Sequence, residues 1–483
     1  KPIDPAAPLV KAQVNLPTAW NGKKLQFGGG GYNGSLITGV QASRNAPPDV
    51  PMPLTRGYMT AGTDSGHQTG PTDIPFAFAL NQEALINFAY ASYKKTNDVA
   101  VQVGLAYYGK RPSKSYYLGA SEGGREGMMM AQRYPQDYDG VVSIDPVMNW
   151  TALQTFGNHV GGIVQSAPGA WLGGKVQLVQ DTVTAACDAL DGITDKVISN
   201  YLSCKPLADA ALVAKRCTSG TDEGSGCFSD GQLNAIKAAH SGYTFTFPLA
   251  NGMTSYAGLG VGSEGVAGAW DRWMAGAVPP TTPNMANASA SRLYQFGNGY
   301  IRYFIARDAN FDPLSYDPVN FRSRVEQVSS LMDATNPDLS EFHARGGKLI
   351  LREDLSDTAQ SPHTGLNYWD AVVAKLGRST VDGFFAAYVA TGLPHTSPGL
   401  SAGTANAPSY GTPGSVDLLA PLEDWVERGV KPSAALTLVN KAALPPYTVA
   451  ASKPLCRYGT YPKFVGTDPA GGSSASNYSR NAT

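Results

Sequence analysis

Gly119-Ala120-Ser121-Glu122-Gly123 is a G-x-S-x-G pentapeptide set between two segments of different pattern. Ser115-Tyr116-Tyr117-Leu118 before it is a short aromatic and apolar run and reads as a strand, while Gly124 to Tyr134 after it reads as a helix. A strand that turns sharply through such a pentapeptide into a helix lifts the serine hydroxyl to the top of a sheet. The glycines leave room for a strained backbone. The helix behind the turn aims its positive end at an oxygen that acquires charge. In a chain with 54 glycines the pentapeptide alone says little. In this context it predicts a nucleophilic serine rather than a glycine turn with a bystander hydroxyl.

The 483 residues suffice for a large core and more than one unit. The formal charge is −1 with 16% charged residues and no basic stripe, so no nucleic acid or other polyanionic partner is expected. No window approaches 18 uninterrupted apolar residues, which predicts no membrane span. Cys187 and Cys204 bracket one short segment and Cys217 and Cys227 another, leaving Cys456 over. Local pairs of this kind suit short-loop disulfides and an oxidising compartment, so the expected location is secreted or periplasmic; buried thiols in a cytosolic enzyme are the alternative.

Lys24–Phe27 and Tyr58–Gly62 read as short strands, Asn81 to Lys95 as a helix, and Val141–Asp145 as a strand just beyond the elbow helix. This strand–helix–strand rhythm predicts a mostly parallel sheet. From about Pro146 to Asn336 short helical stretches alternate with Gly/Ala/Ser-rich loops and hold the four paired-looking cysteines. Strands return at Gly347–Leu351 and Phe384–Val389, and Pro421 to Arg428 reads as a closing helix with proline at its first position. The expected organisation is one α/β domain, 1–145 and 337–483, split by an inserted lid, 146–336, with a Ser/Gly/Asn-rich surface arm from Gly466. Asn33-Gly34-Ser35, Asn149-Trp150-Thr151 and Asn287-Ala288-Ser289 are glycosylation sequons, relevant only in a eukaryotic secretory host.

A serine hydroxyl needs a base within reach. The six histidines are His67, His159, His240, His343, His363 and His395. In α/β-hydrolases the order along the chain is nucleophile, acid, histidine, which excludes His67. His395 follows a predicted strand in a Gly/Pro loop and is the candidate base, with His363 as runner-up. The acid belongs after the Lys348–Leu351 strand, where Glu353, Asp354 and Asp357 all qualify; spacing does not choose among them. The Gly28–Gly31 run after an early strand supplies an N–H for an oxyanion, beside that of Glu122. No G-K-[ST] follows it, which argues against a phosphate loop. Asp188, Asp191 and Asp195 surround a glycine turn. Their oxygens suit Ca²⁺ better than zinc, with a solvated turn as the alternative.

Taken together, these stretches resemble the tannase/feruloyl esterase family, which includes mono(2-hydroxyethyl) terephthalate hydrolases. The resemblance runs from Trp20-Asn21-Gly22 to Arg457. It includes Gly28–Gly31, Thr63 to His67, Gly119 to Met129, Arg133-Tyr134-Pro135, Cys187 to Cys204, Gly346-Gly347-Lys348, Ser356-Asp357, Leu393-Pro394-His395 and Asp424 to Gly429. The elbow stretch is similar to the terephthalate-ester hydrolases, whereas Gly299 to Tyr303 with Asp308 and Phe311-Asp312 is similar to the feruloyl esterase branch.

The resemblance implies an α/β-hydrolase fold with Ser121 as nucleophile, Asp357 as acid and His395 as base. It implies oxyanion donors at Gly31 and Glu122, and disulfides Cys187–Cys204 and Cys217–Cys227. It further implies a lid Ca²⁺ held by the Asp188, Asp191 and Asp195 side chains and the Ile193 and Val197 carbonyls, with no organic cofactor. Trp273 lies in a stretch similar to one that packs on substrate rings, an ordinary lid-core tryptophan being the alternative. Three departures stand out, one of them that the usual C-terminal partner of Cys456 is missing, with Ser479 near its place. Family members usually carry a cystine joining the residue before the nucleophile to the one after the histidine, and here those residues are Ala120 and Thr396. The usual His-Gly before the acid is Glu353-Asp354. The expected function is a serine carboxylic ester hydrolase acting on small aromatic esters of the hydroxycinnamate, gallate or terephthalate type. A catalytically reduced binding protein and an acyltransferase on the same fold are the alternatives.

Overall fold

The protein is described from a computed structural model covering residues 2–70, 73–166, 169–278 and 290–482. Residues 1, 71–72, 167–168, 279–289, which include the sequon at Asn287, and 483 lie outside these residues. Nine strands build the main sheet: β1 Ala12–Asn15, β2 Lys23–Phe27, β3 Met59–Thr63, β4 Lys114–Ala120, β5 Gly140–Ile144, β6 Lys348–Asp354, β7 Phe385–Ala390, β8 Ala435–Lys441 and β9 Val449–Arg457. Their order is β1-β3-β2-β4-β5-β6-β7-β9-β8. The six strands from β3 to β7 are parallel, while β1 pairs antiparallel with β3 at one edge, and at the other β9 pairs antiparallel with β7 and β8 antiparallel with β9. Every residue of β3, β5 and β7 is buried. Helices cover both faces of a parallel sheet, so its strands read as unbroken apolar runs rather than alternating ones.

The helices that matter most here are α1 Ser92–Tyr108, α2 Glu122–Arg133, α3 Trp150–Ser166, α4 Pro362–Leu376 and α5 Leu419–Arg428. Helix α1 continues a shorter helix, Gln82–Ile86, across a π turn at Asn87–Ala91. Asn81 caps the start, its side chain accepting from Ala84 N at 3.0 Å. The whole stretch extends past the expected end at Lys95 to Gly109, which terminates it in a left-handed conformation (φ 71°). Helix α5 starts two residues earlier than its sequence suggests, so Pro421 is its third residue rather than its first. Proline is tolerated there because the first turn of a helix leaves its N–H groups without intrahelical partners.

Between β5 and β6 the chain leaves the sheet and forms a largely helical unit with its own apolar core, which includes Trp150, Phe156, Trp270, Tyr300 and Phe304. Cys187–Cys204 and Cys217–Cys227 are disulfides in this unit, and Cys456 is a buried free thiol in β9. The segment after Gly466 is not a free arm. Strands β10 Tyr461–Phe464 and β11 Tyr478–Asn481 pair as a hairpin, and Phe464 and Tyr478 pack with Ile193 of the lid in one buried cluster. Composition pointed to a loose tail because the apolar anchors, Phe464 and Tyr478, are few and far apart.

Candidate active site

Strand β4 delivers the chain to Ser121, which takes a left-handed backbone (φ 58°, ψ −123°) before α2 begins. The turn is tied down by Ser121 N donating to Ile144 O at 2.8 Å, at the end of β5. Close approach dictates the flanking glycines. A Cβ on Gly119 would lie 2.0 Å from Gly123 O, and one on Gly123 would lie 2.7 Å from Gly29 O. The positive φ that such turns require is carried by Ser121 itself. Behind it, Glu122 and Arg125 form a buried pair, Arg125 Nε reaching both carboxylate oxygens at 2.9 Å. Arg125 also donates to Ala89 O and Phe88 O, carbonyls in the π turn. That interruption therefore supplies acceptors that a regular helix would keep for itself.

His395 lies beyond β7, and its Nδ1 meets Asp357 Oδ2 at 2.6 Å. Asp357 is fully buried, and its Oδ1 accepts from Ala359 N (2.7 Å) and Gln360 N (3.2 Å). Of the three acidic candidates the structure thus brings Asp357 to the imidazole. Strand β6 runs on to Asp354, so Glu353 and Asp354 are strand residues rather than loop residues. Asp354 is occupied by Arg352 Nε (2.7 Å) and Ser397 N (3.1 Å). Glu353 accepts from Gln360 Nε2 at 3.0 Å. Burial and the neighbouring aspartates hold the Asp145 and Glu353 carboxyls well above the usual carboxylate range.

Ser121 and His395 line one cavity of about 220 Å³, together with Gly31, Trp150, Trp273 and Phe296. The Ser121 hydroxyl makes no hydrogen bond to His395 in this conformation, although both residues line the cavity. Such bonds often tighten only with substrate in place. Trp273 stands edge-on to His395, with ring centroids 6.0 Å apart, and to Phe296 at 5.7 Å. Arg292 lies over Trp273 and Phe296, 5.9 Å from each ring centroid. A second cavity of about 760 Å³ opens on the other side of Ser121, bounded by Gly28–Gly30, Ser43, Arg44, Ala120 and Thr396. Of the other histidines, His67 is buried and stacked on Phe78, and His240 pairs with Asp209 in the lid. Trp150, Phe296, Arg292 and Arg44 were not singled out from sequence, since no local pattern marks them.

The Asp188–Val197 loop carries three carboxylates and two free carbonyls, oxygens of the kind a hard cation takes. The three carboxylates are buried, and burial pushes the Asp191 carboxyl up to about 6. Ile193 and Val197 are buried too, and their carbonyls accept no hydrogen bond from the described residues. Among those residues, two groups of three side chains bring ligand atoms within 4.8 Å of one another: Cys217–Glu223–Cys227, whose sulfurs are spent in a disulfide, and Asp145–Asp357–His395. The three lid aspartates are more widely spread, and buried Lys453 Nζ lies 3.8 Å from Asp195 Oδ2. The donor set, oxygen only with two carbonyls that accept no hydrogen bond, has the chemistry that Ca²⁺ takes, while the carboxylates themselves accept from Ile193 N, Lys196 N, Val197 N and Ser199 N.

A parallel sheet with a strained serine elbow and a His–Asp pair at its carboxyl end defines an α/β-hydrolase-type enzyme. Residues 1–481 match the family described as tannase and feruloyl esterase, and the chain belongs to it. It is 35% identical to an uncharacterized esterase of Agrobacterium fabrum over 96% of this chain and 82% of that one. It is 30% identical to the mono(2-hydroxyethyl) terephthalate hydrolase of Piscinibacter sakaiensis over 95% and 79%. The crystal structure of feruloyl esterase B from Aspergillus oryzae superposes with a TM-score of 0.77 at 23% identity, covering 98% of this chain and 87% of that one. The protein is accordingly a carboxylic ester hydrolase. No helix among the described residues is long and apolar enough to cross a membrane.

Proposed function

We propose that the protein hydrolyses esters of aromatic carboxylic acids through an acyl-enzyme on Ser121. The observation that carries this reading is the 2.6 Å bond between His395 and buried Asp357, placed across one cavity from a strained serine. Ser121 Oγ attacks the ester carbonyl carbon while His395 Nε2 takes its proton. Asp357 fixes the tautomer and steadies the imidazolium. The Gly31 and Glu122 amides donate to the oxyanion. The C–O bond to the alcohol then breaks, and the alcohol leaves with the proton from His395. Water, deprotonated by the same imidazole, repeats the attack and releases the acid. Trp150, Trp273 and Phe296 form an aromatic slot for the ring of the acyl group.

The Asp188, Asp191 and Asp195 side chains and the Ile193 and Val197 carbonyls would hold a Ca²⁺ whose contribution is structural, neutralising buried carboxylates and fixing the loop. Two disulfides support a secreted or periplasmic location. The decisive experiment is Ser121→Ala assayed on hydroxycinnamate, gallate and terephthalate monoesters. The variant is expected to keep its melting temperature and lose kcat/KM by about 10⁴-fold or more. Retained turnover of every ester that the wild type accepts would remove Ser121 from the mechanism.

A further inference from the structure

Thr396, the residue after the imidazole, holds a left-handed backbone (φ 52°). Three wholly buried side chains grip the turn it opens from below. Asp145 Oδ2 accepts from Thr396 N at 2.7 Å, Asp354 Oδ2 accepts from Ser397 N at 3.1 Å, and Arg352 Nη2 donates to Ser397 O at 3.2 Å. From the solvent side one group holds it. Arg44 Nη2 donates to Thr396 Oγ1 at 2.6 Å and to Thr396 O at 3.2 Å. Arg44 has a firm base of its own. Ala46 N donates to Ser43 O at 3.1 Å, and Asn45 O accepts from Val416 N at 2.7 Å. Its segment walls the 760 Å³ cavity that reaches Ala120, Ser121 and Thr396. No covalent bridge spans that gap between the shoulder of the nucleophile and the shoulder of the base, because neither residue 120 nor residue 396 is a cysteine.

We propose that Arg44 is a positioning residue: by clamping Thr396 from the open side it holds the His395 imidazole in register with Ser121, the task a covalent tie would otherwise perform. The inference rests on the Ser121–His395–Asp357 reading. A charged guanidinium suits the role because one planar group meets a hydroxyl and a carbonyl together. The effect is geometric. A base displaced by about 1 Å costs on the order of a hundredfold in rate.

The test compares Arg44→Met, Arg44→Lys and Thr396→Val in the full chain, using aryl-ester kinetics, melting temperature and the rate of labelling by a fluorophosphonate. Arg44→Met is expected to lose about tenfold in kcat with KM within about twofold, to label more slowly and to melt with the wild type. Arg44→Lys and Thr396→Val should fall between. Adding Ala120→Cys and Thr396→Cys to Arg44→Met, with disulfide formation confirmed by thiol titration, should restore most of the lost kcat. The inference is overturned if Arg44→Met labels and turns over like the wild type, if only KM changes, or if the loss follows melting temperature. A wild type that turns over aryl esters but never labels would instead sink the Ser121 reading.

Discussion

Ser121, His395 and Asp357 come from three separate turns, and the sequence shows them unequally well. Ser121 is marked by its own neighbours, since the pentapeptide, the strand before it and the helix after it are all local. His395 follows from chain order and a Gly/Pro loop. Asp357 was one of three candidates because Arg352-Glu353-Asp354 looks like a solvated acidic turn, and the groups that pair with it when buried, Asp145, Ser397 and Gly414 O, lie far off in the chain. Trp273 poses the same difficulty, because a core indole and a substrate-facing one look alike in a sequence. Its edge contact with His395 places it at the site. Trp273→Ala is expected to raise KM for aryl esters by about tenfold while sparing esters of short aliphatic acids. Equal loss on both substrate types in steady-state kinetics would reduce Trp273 to a structural role.

At the level of elements, the elbow depends on how closely β4, α2 and the Gly28–Gly31 loop approach. Gly119 faces backbone rather than a yielding side chain, so there is nothing flexible to move aside. Gly119→Ala is expected to destabilise the protein by about 3 kcal/mol or more, read as a lowered denaturation midpoint with activity lost in step. A soluble variant of unchanged stability would show that the elbow relaxes. The central strands were legible because apolar runs bounded by glycine have few other fates. Strands β1, β8 and β9 were not, since strands at or next to a sheet edge carry mixed residues such as the Ala12-Gln13-Val14-Asn15 run. The π turn at Asn87–Ala91 was equally hidden, because its cause is Arg125, far along the chain.

Across the whole molecule, the lid loop gathers negative charge out of water. A cation filling that site at a hundred times its Kd would add about 2.7 kcal/mol of stability. Chelation by EDTA is therefore expected to lower the melting temperature by several degrees, with Ca²⁺ restoring it and Mg²⁺ failing to. A melting curve indifferent to both would show that Lys453 alone balances the loop. The loop and the helix after it carry the contacts that composition missed: Ile193 packs with Phe464 and Tyr478, Tyr410 donates to Asp195 at 2.8 Å, and Gly459 N donates to Tyr201 at 3.0 Å. The unit above the sheet is thus moored where the chain enters it, where the chain leaves it, and again by residues near the C-terminus. Something fastened at three corners is a roof rather than a door. Substrate entry and exit beneath it are then expected to turn on side chains of the cavity wall, such as Trp273 and Arg292, rather than on movement of the whole unit.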